Sequence, residues 1–214
     1  MSLHKAPTTA LLLLCASAVL HAQVCAQSSF GSSVSNTPPG LTVKLRSEEP
    51  LGSGQVQRAY ATFGTNQFAF VVPPYMRMDA SNPHKIIMSK PDLSCFITFR
   101  LVDPTSTGLA EPDAEKCRNI LQKRYSDLKI TDEFSLTADG HAGPAFEIQW
   151  TNAGGAAQAG RIAFIPSTAG LLEFSLECNA DQLDVGKYWL SWVMTTFSSN
   201  EEGKLRIARF SNSF

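Results

Sequence analysis

The sequence predicts an α+β fold, an antiparallel β-sheet packed by two main helices. Three observations predict it. Strand-like segments in the second half follow one another at hairpin spacing. Two of them alternate strictly: Phe146, Ile148 and Trp150 against Glu147 and Gln149, and Leu172, Phe174, Leu176 and Cys178 against Glu173, Ser175 and Glu177. A period of two gives a sheet with one packed face and one wetter face. Two stretches with helical periodicity lie on either side of this meander.

Residues 41–65 are ambiguous. Leu41-Thr-Val-Lys-Leu alternates as a strand does, but Gly52, Gly54 and Gly64 interrupt the residues after it. This stretch is expected to be a peripheral lead-in, either a hairpin or a partner-facing segment, with the globular domain spanning 66–214. Phe68-Ala-Phe-Val-Val is β-rich and is stopped by Pro73-Pro74. Lys85-Ile-Ile-Met-Ser resumes strand character. Cys95 to Val102 is a strong strand with Cys95, Ile97, Phe99 and Leu101 on one face. Asp103 to Gly108 reads as a loop.

A helix is expected to start near Glu111-Pro112. Proline is tolerated in a first turn, and Glu111, Asp113 and Glu115 suit the positive end of the helix dipole. Ala114, Cys117, Leu121 and Tyr125 form its apolar stripe, with Ile120 beside it. Four strands come after it: Ile130 to Leu136, Ala145 to Trp150, Arg161 to Ile165 and Leu171 to Cys178. Asp139-Gly140, Asn152 to Gly155 and Ser167 to Gly170 supply turn chemistry between them. A last helix over about 184–197, capped by Asp181 or Asp184, carries Trp189, Val193 and Phe197 flanked by Tyr188, Leu190, Trp192 and Met194. A helix this apolar must lie on the sheet. Leu205 to Phe210 reads as a short extra strand or a docking tail.

The start of the chain sets the expected compartment. Lys5 precedes the apolar run Ala10 to Leu20, and small residues offer cleavage after Ala22 or Ala26. Residues 1–26 therefore read as a secretory signal peptide. The run is about half the roughly 20 residues that span a bilayer, so a retained anchor is the weaker reading. A lipid-modified cysteine fits poorly, because Cys25 follows Ala22, Gln23 and Val24 and Cys15 lies inside the apolar run. Residues 27–40 are rich in Ser, Gly and Pro without charge and read as a flexible tail. The expected location is periplasmic or secreted, with a bacterial envelope favoured because no Asn-x-Ser/Thr acceptor occurs. No integral membrane segment is expected after cleavage.

Composition excludes more than it assigns. Charged residues make up 17 % of 214, the formal net charge is −1, and there is no basic tract. Nucleic acid binding, which needs clustered Lys and Arg against phosphates, has no support. Outside the leader the cysteines are Cys95, Cys117 and Cys178, too widely spaced for a zinc site. In an oxidising compartment one disulfide among them plus one free thiol is expected, with the pairing open; three buried thiols are the plainer alternative. No metal and no cofactor is expected. His84 and His141 sit in loops, and no Gly-x-Ser-x-Gly, P-loop or dinucleotide motif occurs. Asp132, Glu133, Glu147 and Glu173 offer carboxylates for glycoside chemistry, although acidic residues on a wet sheet face usually serve solubility. Trp150, Trp189 and Trp192 are candidates to line a ligand pocket, although such tryptophans more often fill a helix-on-sheet core.

One resemblance rests on the order of elements and three motifs. Phe68-Ala-Phe-Val-Val-Pro-Pro-Tyr-Met opens the domain, Gly140-His-Ala-Gly-Pro-Ala145 enters the second strand of the meander, and Met194-Thr-Thr-Phe-Ser-Ser ends the last helix. Over residues 66–199 the pattern resembles the α-β-α sandwich of PsbP-like proteins and the related Mog nuclear-import factors. The resemblance implies a non-catalytic protein-binding or assembly module, and no functional residue carries over. The polar strand face departs from the pattern and implies a thin second covering layer. The expected function is thus an exported accessory module of the cell envelope with a protein partner. A carrier of a small apolar ligand comes second and an envelope hydrolase third.

Overall fold

The computed structural model describes residues 40–49, 54–109 and 111–200. The signal peptide, all of the tail before Gly40 and the segment Leu205 to Phe210 lie outside the described residues. Strands are β1 (Thr42–Glu48), β2 (Val56–Phe63), β3 (Asn66–Val72), β4 (Arg77–Asp79), β5 (Lys85–Ser89), β6 (Cys95–Leu101), β7 (Lys129–Ala138), β8 (His141–Thr151), β9 (Ala157–Ser167), β10 (Gly170–Asn179) and β11 (Ser198–Asn200). Helices are α1 (Pro104–Thr107), α2 (Ala114–Arg124) and α3 (Leu183–Thr196). The fold class is α+β. Seven strands pair in the order β4-β5-β6-β10-β9-β8-β7, and four more in the order β1-β2-β3-β11. Every pairing is antiparallel.

The large sheet carries a layer on each face. On one face Leu172, Phe174, Leu176 and Cys178 of β10 meet Phe68 and Phe70 of β3, Ile97 and Phe99 of β6, and Leu190, Val193 and Phe197 at α3. Phe174 and Phe197 meet edge to face with centroids 5.0 Å apart, and Phe99 lies 5.3 Å from Phe174. Such aromatic pairs add to the burial of their area. On the other face Cys117, Leu121 and Tyr125 of α2 pack on Phe146, Ile148, Ile162 and Phe164.

Helix α3 approaches the sheet closely at Gly186. A Cβ there would stand 2.8 Å from the end of the Leu176 side chain, so a larger residue would require that buried leucine or the helix to shift. Helix α2 begins one residue after Asp113, whose carboxylate accepts from Lys116 N–H at 2.8 Å. Pro112 therefore precedes the cap instead of occupying the first turn. Neither Asp181 nor Asp184 caps α3; a 3-10 turn over Ala180–Gln182 leads in, and the N-cap residue, Gln182, makes no side-chain cap bond. The segment read as a loop at Asp103 to Gly108 contains α1, capped by Asp103, whose carboxylate accepts from Thr105 N–H at 2.9 Å.

The lead-in is more deeply built in than its sequence implies. Its hairpin β1–β2 pairs onto β3, and Ala59 and Ala61 sit in the core at 0 % and 1 % exposure. Gly64 has φ +62 and closes the β2–β3 turn, so a residue that reads as a breaker is a hairpin residue. Strand β1 stays largely exposed.

The face of β10 expected to be wet is dry. Glu173 and Ser175 are 2 % and 3 % exposed, because α2 and its flanking segments cover that face.

Candidate functional site

Helix α3 carries two apolar stripes. Gly186, Leu190, Val193 and Met194 point into the core. Val185 and Tyr188, 50 % and 57 % exposed, lie on the outside with Trp192 one turn on. Residues spaced by three and four share a helix face, so these three form one external row. The Tyr188 ring stands 6.2 Å from the Trp192 ring and 5.0 Å from Trp189.

The row ends in a pocket. A cleft of about 400 Å³ is lined by Val56, Val71, Pro73, Pro74, Tyr75, Met76, Pro91 and Trp192, among others. The Pro73-Pro74 pair offers no backbone donor, so that wall is carbonyl and ring surface. Met76 N–H donates to the Pro73 carbonyl at 3.2 Å and shapes the turn. Tyr75 is held at φ +66 and is 87 % exposed, its ring turned to solvent. Left-handed backbone at a bulky residue is uncommon and costs about 1 kcal/mol. In the neighbouring β5–β6 turn Leu93 repeats the pattern, with φ +57 and 64 % exposure. Arg77 pairs with Ser89, so the β3–β4 and β5–β6 turns lie at the same end of the sheet. The last turn of α3 is pinned there: Val71 N–H donates to Thr196 Oγ1 at 3.0 Å, and that hydroxyl donates to the Trp192 carbonyl at 2.8 Å. Trp192 Nε1–H is buried without an acceptor among the described residues.

A second cluster lies under α2. Glu173 Oε1 accepts from Arg124 Nη1 at 2.7 Å, and Oε2 accepts from Arg124 Nη2 at 2.9 Å and Arg100 Nη2 at 2.6 Å. Burial alone would push this carboxyl up. Hydrogen bonds and charge from Arg124, and the Arg100 charge, overcome it and hold Glu173 below the usual carboxylate range. Tyr125 Oη donates to Glu177 Oε1 at 2.7 Å, and burial with the Glu177 charge pushes its phenol up. Both Glu173 oxygens accept from arginine, so the cluster fastens α2 to the sheet.

The remaining sequence candidates are scattered. Trp150 lies on the α2 face, its ring 4.7 Å from Tyr125. Trp189 packs at the margin of the opposite core, and only Trp192 lines the pocket. The three tryptophans therefore do not converge. Glu147 binds Arg161 at 2.8 Å and Lys187 of α3 at 3.0 Å, on the face opposite Glu173. Glu133 is bound by Arg118 at the sheet edge. His84 precedes β5 and His141 starts β8, both exposed, on strands near opposite edges of the sheet. Cys95, Cys117 and Cys178 are buried thiols. Cys117 faces α2's core, whereas Cys95 and Cys178 face the other and are register partners. Sequence reasoning missed the Pro73-Pro74-Tyr75 turn as a site; its signal was an aromatic residue directly after two prolines.

No family model matches the sequence, and no curated protein matches it. Among solved structures the chain is similar to the Ran-binding protein Mog1p of Saccharomyces cerevisiae, at 14 % identity and TM-score 0.46, over 73 % of this chain and 96 % of that one. It is similar to cyanobacterial PsbP (CyanoP) from Synechocystis, at 12 % identity and TM-score 0.43, over 79 % and 98 % of the two chains. It is also similar to LpqN, involved in cell envelope biogenesis of Mycobacterium tuberculosis, at 11 % identity and TM-score 0.42, over 75 % and 91 %. PsbP- and Mog-like proteins are thus among its structural neighbours, a likeness of fold. No helix of the described residues is long and apolar enough to cross a membrane.

Proposed function

We propose that the chain is an exported, non-catalytic accessory module of the cell envelope that docks a protein partner on the outer row of α3 and the adjoining β3–β4 turn. The observation that carries the reading is continuity: Val185, Tyr188 and Trp192 run into a cleft walled by Pro73, Pro74 and Tyr75. Clustered exposed apolar side chains on a folded chain commonly mark an interaction surface, and Tyr and Trp are the side chains that anchor one. Export rests on Lys5 and the apolar run Ala10 to Leu20. The partner supplies an apolar segment that fills the cleft and covers the row.

Lysine-reactive cross-linking in intact envelopes tests this. Wild type is expected to give one discrete, stoichiometric complex, and the double variant Tyr75→Ser/Tyr188→Ser to lose it with its melting temperature unchanged. A wild type without a discrete complex, or a double variant that keeps it, contradicts the reading. The cleft volume of about 400 Å³ also suits a small apolar ligand, which favours the carrier as second reading. Native mass spectrometry separates the two. A co-purifying small mass that disappears in Trp192→Ala supports the carrier; a clean spectrum alongside the cross-linked complex supports docking.

A further inference from the structure

The β6–β10 ladder sets Cys95 directly opposite Cys178. Hydrogen bonding around them defines the kind of pair. The Cys95 carbonyl accepts from Lys90 N–H at 3.0 Å, so its polar groups face β5. On the β10 side the ladder bond falls on the next rung, where Asn179 N–H donates to the Ser94 carbonyl at 3.2 Å. Cys95 and Cys178 are therefore a non-hydrogen-bonded pair, the rung type whose Cα atoms stand about 4.5 Å apart with side chains closest. That spacing lies inside the range disulfides tolerate. Both side chains share one face and are 2 % exposed, while Cys117 is on the other side of the sheet.

We propose that Cys95 and Cys178 form a structural cross-strand disulfide joining β6 to β10, and that Cys117 remains a thiol. This narrows the open expectation of one disulfide among three cysteines to a single pair. In the thiol form Cys178 Sγ contacts the Ala159 carbonyl on β9 at 3.6 Å, so its side chain must turn toward β6 for the bond to form.

The chemistry needs a disulfide oxidant, of protein or glutathione type. The thiolate of one cysteine attacks a sulfur of the oxidant, breaking its S–S bond and releasing one thiolate. The second cysteine, as thiolate, attacks the mixed disulfide and releases the other. One S–S bond forms in the chain, one breaks in the oxidant, two electrons pass to the oxidant, and the two protons lost from the chain end on its thiols. Burial pushes the Cys95 thiol up to about 11, and pushes Cys178, with Cys95 beside it, up to about 12. Thiolate is the attacking species, so exchange in the folded chain is slow. The bond is accordingly made while the strands dock, and the core that then closes over it keeps reductants away.

The test is refolding of the exported chain, freed of residues 1–26 and so of Cys15 and Cys25, from denaturant with oxidised and reduced glutathione, followed by alkylation and peptide mapping without reduction. One cross-linked peptide pair containing Cys95 and Cys178 is expected, with Cys117 alkylated. Alkylation of all three, or any linkage through Cys117, overturns the proposal. Thermal melting supplies a second readout. The oxidised chain is expected to lose about 8 °C of melting temperature when reductant is present during unfolding. The double variant Cys95→Ala/Cys178→Ala is expected to be indifferent to reductant; an equal drop in that variant, or none in wild type, contradicts the bond.

Discussion

Helices α2 and α3 cover opposite faces of one sheet, and they treat their outer surfaces differently. Helix α2 buries Cys117 and Leu121 and shows Lys116 and Lys123 to solvent. That is the ordinary amphipathic solution, and it leaves no large apolar side chain of the helix exposed. Helix α3 buries Leu190, Val193 and Met194 and still presents Val185 and Tyr188 outward. The inner stripe accounts for holding α3 on the sheet, and exposed Val185 and Tyr188 add little to that. The difference separates a helix that completes the fold from one that also offers a surface.

Changes that strike the inner stripes should have the largest effect. Phe174→Ala removes a ring in contact with Phe99 and Phe197 and is expected to cost about 4 kcal/mol of stability in denaturant unfolding. A cost under about 1 kcal/mol would mean that the α3 face is not one continuous core.

On the α2 face, Glu173→Gln leaves Arg100 and Arg124 without their counter-charge and is expected to cost about 3 kcal/mol near neutral pH. It also changes the pH profile. Folding lowers the Glu173 pKa from its ordinary value of 4.5, so the folded chain binds that proton less tightly than the unfolded chain. The resulting stability is complete above the ordinary carboxylate range and drains as pH falls through the lowered value. Wild type should therefore lose stability on acidification more steeply than Glu173→Gln in urea melts across that range. Parallel acid limbs would show that the cluster does not hold the carboxylate ionised.

Asp113→Ala removes the α2 cap and is expected to cost about 1 kcal/mol, measured the same way. Tyr188→Ser should change stability by under about 0.5 kcal/mol, because its side chain is exposed. A substantially larger loss would make the outer row part of the fold and remove the contrast between the helices.

Much of the architecture was legible because it depends on local period. The alternation of Leu172, Phe174, Leu176 and Cys178 and the stripe of Cys117, Leu121 and Tyr125 both ended on the faces they imply. What alternation does not encode is whether a polar face stays wet. Glu173 is dry because its partners arrive from Arg100 and Arg124, 73 and 49 residues away, and such pairings appear only once the chain has folded. Gly64 read as an interruption because a glycine in a strand and a glycine in a hairpin turn look alike in sequence. The strands ran past their sequence bounds for a related reason. Gly143, Pro144 and Gly160 lie inside β8 and β9, where pairing with neighbours outweighs poor strand propensity. The outer row of α3 was present in the spacing of Val185, Tyr188 and Trp192. It was masked by the general apolarity of that helix, which needs only one stripe to pack. The Tyr75 end of the site comes from an adjacency of two turns fixed by the Arg77–Ser89 pairing, which no local pattern reports.

The claim that α3 offers a surface and α2 does not is tested most directly by a photo-reactive amino acid placed at position 188 of α3 or at position 123 of α2, irradiated in cells. The account predicts one adduct of defined mass from position 188 and none of that mass from position 123. Equal adducts from both positions, or none from 188, would contradict it.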